Sequence, residues 1–227
     1  MLSGFPLYAT LNLKGTTMLI VAHRINTLEK LKALPNTYGV EIDIRGYGDQ
    51  MLLNHDPIKN PQDHVDLETY LAQFAKQEMA FVIFNTKEAG YEKRIIALTE
   101  KYGIPKEKYF LLDVEFPYLY NATRVQGVRE IAVRYSEAEP IEAVEAQMLD
   151  GKTLLDWVWI DTNTMLPLDE DIVKRLSPFK TALVCPDRWG RPEDIDAYAT
   201  RIKELGMNLN MVMTSMDTIA NWEKHFA

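Results

Sequence analysis

Eight short apolar runs, at residues 19–24, 39–45, 80–87, 109–116, 130–136, 157–162, 181–186 and 210–214, divide this chain at intervals that leave room for a helix between most of them. Several are near-continuous stretches of Val, Ile, Leu and Phe, the pattern of parallel strands covered on both faces. Helical spacing of apolar residues fills the gaps at 26–34, 67–77, 91–102, 141–148, 169–176, 192–205 and 218–226, while the stretch after Pro117 carries the weakest helical pattern. Gly103 and Gly206 stand where helix C-termini would be closed, and Pro192-Glu193-Asp194 suits a first helical turn.

Strand followed by helix, repeated eight times in about 210 residues, predicts an α/β protein built as one (β/α)8 TIM barrel. A doubly wound open sheet gives the same alternation, and the count of eight favours the barrel. No linker, repeat or low-complexity tract divides the chain, so residues 18–227 are expected to form a single domain. Residues 1–17 precede the first strong strand and read as an N-terminal extension: a flap, an extra strand or a start-site extension. Residues 50–54 break the alternation. They read as a short hairpin partner of 39–45, turning at 46–49, which lifts His55 to the barrel mouth with no helix in between.

In such a barrel the chemistry belongs at the C-terminal ends of the strands. Polar residues fall there almost strand by strand: His23-Arg24, then Glu41, Asp43 and Arg45, then His55-Asp56 and Asn85-Thr86-Lys87. Asp113 and Glu115, Arg134, Trp159 with Asp161, and Asp187 follow on later strands. Glu41 and Asp43 are two apart on a strand and share one face, whereas Val40, Ile42 and Ile44 share the other. Two close carboxylates repel unless a cation or a shared proton compensates. A hard divalent ion, Mg²⁺ or Ca²⁺, is the natural compensator, with Asn85 as a neutral oxygen ligand and Lys87 as a phosphate-binding cation. The alternative is an ion pair of Glu41 or Asp43 with Arg24, Arg45 or Lys87. His23 and His55 suit a general acid and base pair, imidazole being matched to neutral pH. Glu115, Arg134, Trp159 and Asp161 are candidates for a substrate pocket, or for rim ion pairs and core. The loop 187–194 reads as a lid or substrate contact, and Cys185 as inert core.

Composition narrows the partners. A net charge of −8 argues against a nucleic-acid surface, although local cations or a bound metal still permit a small phosphate ligand. No apolar run of about 18 residues is present, so stable membrane insertion is not expected. The single cysteine excludes a disulfide framework and fits a reducing, cytoplasmic setting.

The pattern His23-Arg24, Glu41-x-Asp43, His55-Asp56 resembles the glycerophosphodiester phosphodiesterases, and more broadly the phosphatidylinositol-phospholipase-C-like phosphodiesterase barrels. The resemblance is sharp over residues 19–57 and weaker at Asn85 and Lys87. It implies that His23 and His55 are catalytic, that Glu41 and Asp43 are metal ligands, and that Arg24 contacts the phosphate of a small phosphodiester. It also implies attack by a substrate hydroxyl to give a cyclic phosphate. Three departures stand out. Ile25 stands where the family usually has Gly, Asn85 replaces an acid two residues before the retained Lys87, and only about ten residues separate His55 from the next helix. The neutral ligand implies a weakened or retuned cation site, and the short insertion a specificity other than glycerol. A metal-independent lyase of the phospholipase C kind, and a catalytically weak barrel that binds a phosphorylated sugar or polyol, are the competing readings.

Overall fold

The computed structural model describes residues 18–226, so the expectation for 1–17 lies outside the described residues. In chain order the first half comprises β1 (Leu19–Ala22), α1 (Leu28–Ala33), β2 (Gly39–Tyr47), β3 (Gln50–Leu53), α2 (Leu67–Lys76), β4 (Phe81–Thr86), α3 (Glu92–Lys101), β5 (Tyr109–Leu112) and α4 (Phe116–Arg124). The second half comprises β6 (Ala132–Tyr135), α5 (Ile141–Glu145), β7 (Met148–Leu149), β8 (Lys152–Thr153), β9 (Trp157–Ile160), α6 (Glu170–Leu176), β10 (Lys180–Val184), α7 (Ile195–Glu204), β11 (Met211–Thr214) and α8 (Ile219–Phe226). Side-chain caps mark several helix starts: Thr27 accepts from Lys30 N, Asp66 from Thr69 N and Asp169 from Ile172 N.

Eight strands run parallel in the order β5-β4-β2-β1-β11-β10-β9-β6. The circuit closes where Leu111 bridges Ile131 and the Leu111 amide donates to the Glu130 carbonyl at 2.9 Å. This is a single-domain (β/α)8 barrel. β3 pairs antiparallel with the overhanging end of β2, Ile44 opposite Leu53, so the short hairpin after the second barrel strand is present. The small hairpin of β7 and β8, between α5 and β9, turns at Asp150-Gly151, both at positive φ, a two-residue Asp-Gly turn that a reading by strand and helix runs passes over.

The period of two decides what faces where. Val40, Ile42 and Ile44 pack under the helices, with Phe84, Val158 and Leu183 in the same outer core. A second cluster fills the barrel: Val21, Phe81, Ile83, Phe110, Leu112, Trp157, Trp159 and Met213 among others. Its aromatic members meet edge-on or tilted, Phe81 with Trp157 at 5.4 Å and Phe110 with Trp157 at 5.1 Å between ring centroids. Most strands stop one or two residues short of their apolar runs, and β5 stops four short. Asp113 adopts φ +61°, which breaks the extended backbone and stops β5 at Leu112. No helix among the described residues is long and apolar enough to cross a membrane.

Gly39 opens the inward face of β2 at the barrel floor. A Cβ there would lie 2.8 Å from Val21 Cγ2 and 3.1 Å from Phe81 Cβ, so the close approach of β1, β2 and β4 needs a residue without a side chain. Gly39→Ala is therefore expected to destabilise the fold by about 1–3 kcal/mol through overpacking. Urea unfolding followed by circular dichroism measures this, and an unchanged midpoint would mean that the floor has room to spare.

Candidate active site

On the inward face of β2, Gly39 is followed by Glu41 and Asp43, which stand above the apolar floor and are both 1% exposed. Each carboxylate oxygen has a neighbour. Glu41 Oε2 accepts from the Arg24 amide at 2.9 Å, and Oε1 accepts from Asn85 Nδ2 at 3.0 Å. Asp43 Oδ2 accepts from Asn26 Nδ2 at 2.8 Å, while the Asp43 amide donates to Asn26 Oδ1 at 2.9 Å. Lys87 Nζ lies 2.9 Å from Asp43 Oδ1 without hydrogen-bond alignment. Asn85 is in this group by register, since it sits opposite Asp43 on the adjacent strand β4.

The two acids titrate differently. Burial, with Asp43 as a like charge nearby, pushes the Glu41 carboxyl up to about 7. Burial also works against the Asp43 anion, but the Asn26 hydrogen bond and the Lys87 ammonium hold its carboxyl below the usual range.

His23 follows β1 on the inward side, with Nε2 3.9 Å from Glu41 Oε2. Burial first, and then the charges of Arg24 and Arg188, lower its imidazole to about 4, so it is neutral at pH 7. Arg24 takes φ +54°, a left-handed conformation that costs a residue with a Cβ on the order of 1–2 kcal/mol. That turn accompanies the bond of its amide to Glu41, and its guanidinium Nε lies 4.0 Å from Asp43 Oδ2.

His55 arrives by the β3 hairpin, half-buried, with Nδ1 3.0 Å from Asp56 Oδ1. Arg45 anchors its backbone, donating through Nε at 3.1 Å and Nη2 at 2.7 Å to the His55 carbonyl. The third guanidinium nitrogen, Nη1, donates to Glu88 at 2.7 Å. Arg45 thus fixes the hairpin rather than pairing with Glu41 or Asp43.

The opposite wall is a second charged group. Arg134 donates to Asp113 through Nε at 2.6 Å and Nη2 at 2.9 Å, and to Asp161 through Nη1. Burial pushes the Asp161 carboxyl up to about 6, opposed by the Arg134 charge. Trp159, below them, edges against Phe110 and forms floor and core at once.

One cavity of about 110 Å³ at the barrel mouth brings together His23, Arg24, Glu41, Asp43, His55, Asn85, Lys87, Arg134, Trp159 and Asp161. Asp113, Arg188 and Trp189 complete the charged and aromatic lining, above Val184 and Met213. Glu115 is not part of it. The left-handed turn at Asp113 puts that carboxylate on Arg134, and Glu115 becomes the exposed N-cap position of α4. Asn26 is the contact that strand-based reading misses. It lies after β1 and outside α1, so strand-end position gives no signal for it. Cys185 is buried core, receives the Trp222 indole N–H at 3.2 Å and has its thiol pushed up to about 12 by burial.

Among the described residues no group of three or more His, Cys, Asp and Glu side chains could hold a metal ion. The oxygen set nevertheless fits a hard divalent cation, because the third donor is an amide. Asn85 Oδ1 and Asp43 Oδ1 are buried and accept no hydrogen bond, and together with Glu41 they offer the two carboxylates and one carbonyl that Mg²⁺ or Ca²⁺ accepts.

The barrel superposes on a glycerophosphodiester phosphodiesterase from Agrobacterium tumefaciens with a TM-score of 0.62 at 15% identity, covering 89% of this chain and 99% of that one. It also superposes on a glycerophosphoryl diester phosphodiesterase from Parabacteroides distasonis with a TM-score of 0.56 at 13% identity, covering 89% of this chain and 84% of that one. No family model matches the sequence, and no curated protein matches it. At these identities the shared property is the fold: the chain has the barrel of these two enzymes over most of its length.

Proposed function

We propose that this chain is a phosphodiesterase of the glycerophosphodiester phosphodiesterase kind, assisted by a divalent cation and acting on a small phosphodiester. The observation that carries the reading is the single cavity lined by two histidines, a buried carboxylate pair and several cations, at the C-terminal end of a barrel shared with two such enzymes. Its volume of about 110 Å³ suits a phosphoryl group with a small alcohol.

Glu41, Asp43 and the Asn85 carbonyl would hold the cation, which supplies Lewis-acid neutralisation of the phosphoryl oxygens. Arg24 and Lys87 add positive charge to the same oxygens, where preorganised electrostatics contributes most to catalysis. His23, kept neutral by burial and by the neighbouring guanidinium groups, takes the proton of a substrate hydroxyl or of water as that oxygen attacks phosphorus. His55, oriented through Nδ1 by Asp56 and through its carbonyl by Arg45, presents Nε2 to the leaving alkoxide and protonates it. The P–O bond to that alcohol breaks, the proton gained by His23 passes to solvent, and His55 recovers a proton from solvent.

A second reading has one observation in its favour. Lys87 at 2.9 Å from Asp43 already neutralises part of the pair, as a cation-independent lyase would require. Activity that survives exhaustive chelation would favour it over the first.

Three outcomes are expected. With a dialkyl phosphodiester that the wild type cleaves and Mg²⁺, Ca²⁺ or Mn²⁺, His23→Ala and His55→Ala should each lower kcat about 10²–10⁴-fold, the range of general acid–base catalysis, whereas with bis(p-nitrophenyl) phosphate, whose phenolate leaves unprotonated, only His23→Ala should. Wild-type rates in both variants would sink the mechanism. Cation binding must also displace a proton from Glu41, so at subsaturating cation the rate should fall about tenfold per pH unit below the Glu41 value of about 7. At saturating cation the acid limb should move down towards the His23 value of about 4, and superimposable pH profiles at the two cation concentrations would contradict this. Asn85→Asp should tighten Mg²⁺ binding measured by calorimetry, since it adds a third negative oxygen ligand. Unchanged or weaker binding would remove Asn85 from the ligand set.

A further inference from the structure

The cavity lining contains four carboxylates, Glu41, Asp43, Asp113 and Asp161, and four permanent cations, Arg24, Lys87, Arg134 and Arg188. Three of the cations face carboxylates of the same lining. Lys87 lies at 2.9 Å and Arg24 at 4.0 Å from Asp43, and Arg134 is held by both Asp113 and Asp161. Arg188 is different. Among the described residues it has no ion pair and donates no side-chain hydrogen bond, and its guanidinium rests 5.1 Å over the Trp189 ring. A half-buried guanidinium with no counter-ion is a preformed anion site, since planar donors of this kind bind phosphate bidentately.

The loop that carries Arg188 is firmly tied down. Asp187 accepts from the Ser215 amide at 3.0 Å and from Thr218 Oγ1 at 2.8 Å, which fixes the end of β10 to the loop after β11. Gly190, at φ +75°, reverses the chain behind Trp189. Arg191 then donates to the carbonyls of Thr162 and Thr164 on the loop after β9. In the barrel order, β1 and β11 separate the β10 loop from β2, so Arg188 approaches the cavity from the far side of His23 relative to Glu41 and Asp43. Its charge is also among those that hold His23 neutral.

We propose that Arg188 is a further substrate-binding residue, the guanidinium that takes a phosphoryl oxygen from the β10 loop, on the far side of His23 from the carboxylate pair. The inference rests on the phosphodiesterase reading for its role in turnover, but binding of a phosphate group does not depend on turnover. Loss of one charge-assisted contact of this type is expected to cost about ten- to hundredfold.

The test uses the full-length protein and inorganic phosphate in the presence of chelator, titrated by calorimetry, together with kcat/KM for bis(p-nitrophenyl) phosphate with Mg²⁺. Arg188→Met should weaken phosphate binding and lower kcat/KM within that ten- to hundredfold range, and Arg188→Lys should restore part of both. Lys203→Met, an equal change of net charge on exposed α7, should alter neither. Thermal midpoints of all variants should match the wild type; if that of Arg188→Met falls, the partial rescue in Arg188→Lys decides the case. Phosphate binding and kcat/KM that stay at wild-type levels in Arg188→Met would overturn the proposal. So would an equal loss in Lys203→Met. Phosphate binding that depends on Arg188 in a protein that cleaves no diester would keep the anion site and discard the phosphodiesterase reading.

Discussion

Two carboxylates, buried side by side on the inward face of β2, set the terms for the rest of the mouth. A pair of close anions out of water is unfavourable by several kcal/mol unless each oxygen is met by a donor or a cation. The surrounding residues are arranged to meet that demand. Arg24 turns its amide inward at the expense of a left-handed backbone, Asn85 bonds Glu41, Asn26 bonds Asp43 twice, and Lys87 crosses from the end of β4. The compensation is incomplete. Burial still pushes the Glu41 carboxyl up to about 7, and Asp43 Oδ1, beside it the carbonyl oxygen of Asn85, accepts no hydrogen bond. That residual demand is the physical reason to expect a divalent cation at this position.

On the proposed reading, the two walls of the cavity divide the work. The β1–β2–β4 side carries the groups suited to bond breaking, with the histidines placed by β1 and by the hairpin that Arg45 clamps. On the β5–β6–β9 side, Arg134 is tied to two carboxylates, so the wall is closer to a set of hydrogen-bond acceptors than to an anion site. The β10 loop completes the circuit with Arg188 and Trp189. Both residues with positive φ in the lining, Arg24 and Asp113, sit where a strand gives way to the mouth and a side chain or amide must be turned toward a partner.

Much of this was legible in the sequence because side-chain period and strand end are local properties. The alternation in Gly39 to Arg45 gives the inward carboxylates and the outward Val40, Ile42 and Ile44 without further information. Eight apolar runs with helical spacers are enough to give the barrel. The misses share a cause, which is that they depend on backbone turns or distant partners. Glu115 lies on a run that reads as strand to Phe116, and only the turn at Asp113 removes it from the mouth. Arg45 shares the parity of the acids, yet the β3 hairpin gives it the His55 carbonyl as a closer partner. Asn26 serves Asp43 from a position between strand and helix, and Arg188 stands out only once the partners of every other cation are known.

The central claim is that the cavity cleaves a phosphodiester with a cation held at Glu41 and Asp43. Phosphorus-31 NMR of a panel of glycerophosphodiesters and sugar phosphodiesters incubated with the purified protein tests it most directly, in one sample set with Mg²⁺ or Ca²⁺ and in a second with excess chelator. The account predicts that a phosphomonoester or cyclic phosphate resonance grows from at least one diester in the first set and not in the second. Unchanged diester resonances throughout both sets, or equal product in both, would contradict it.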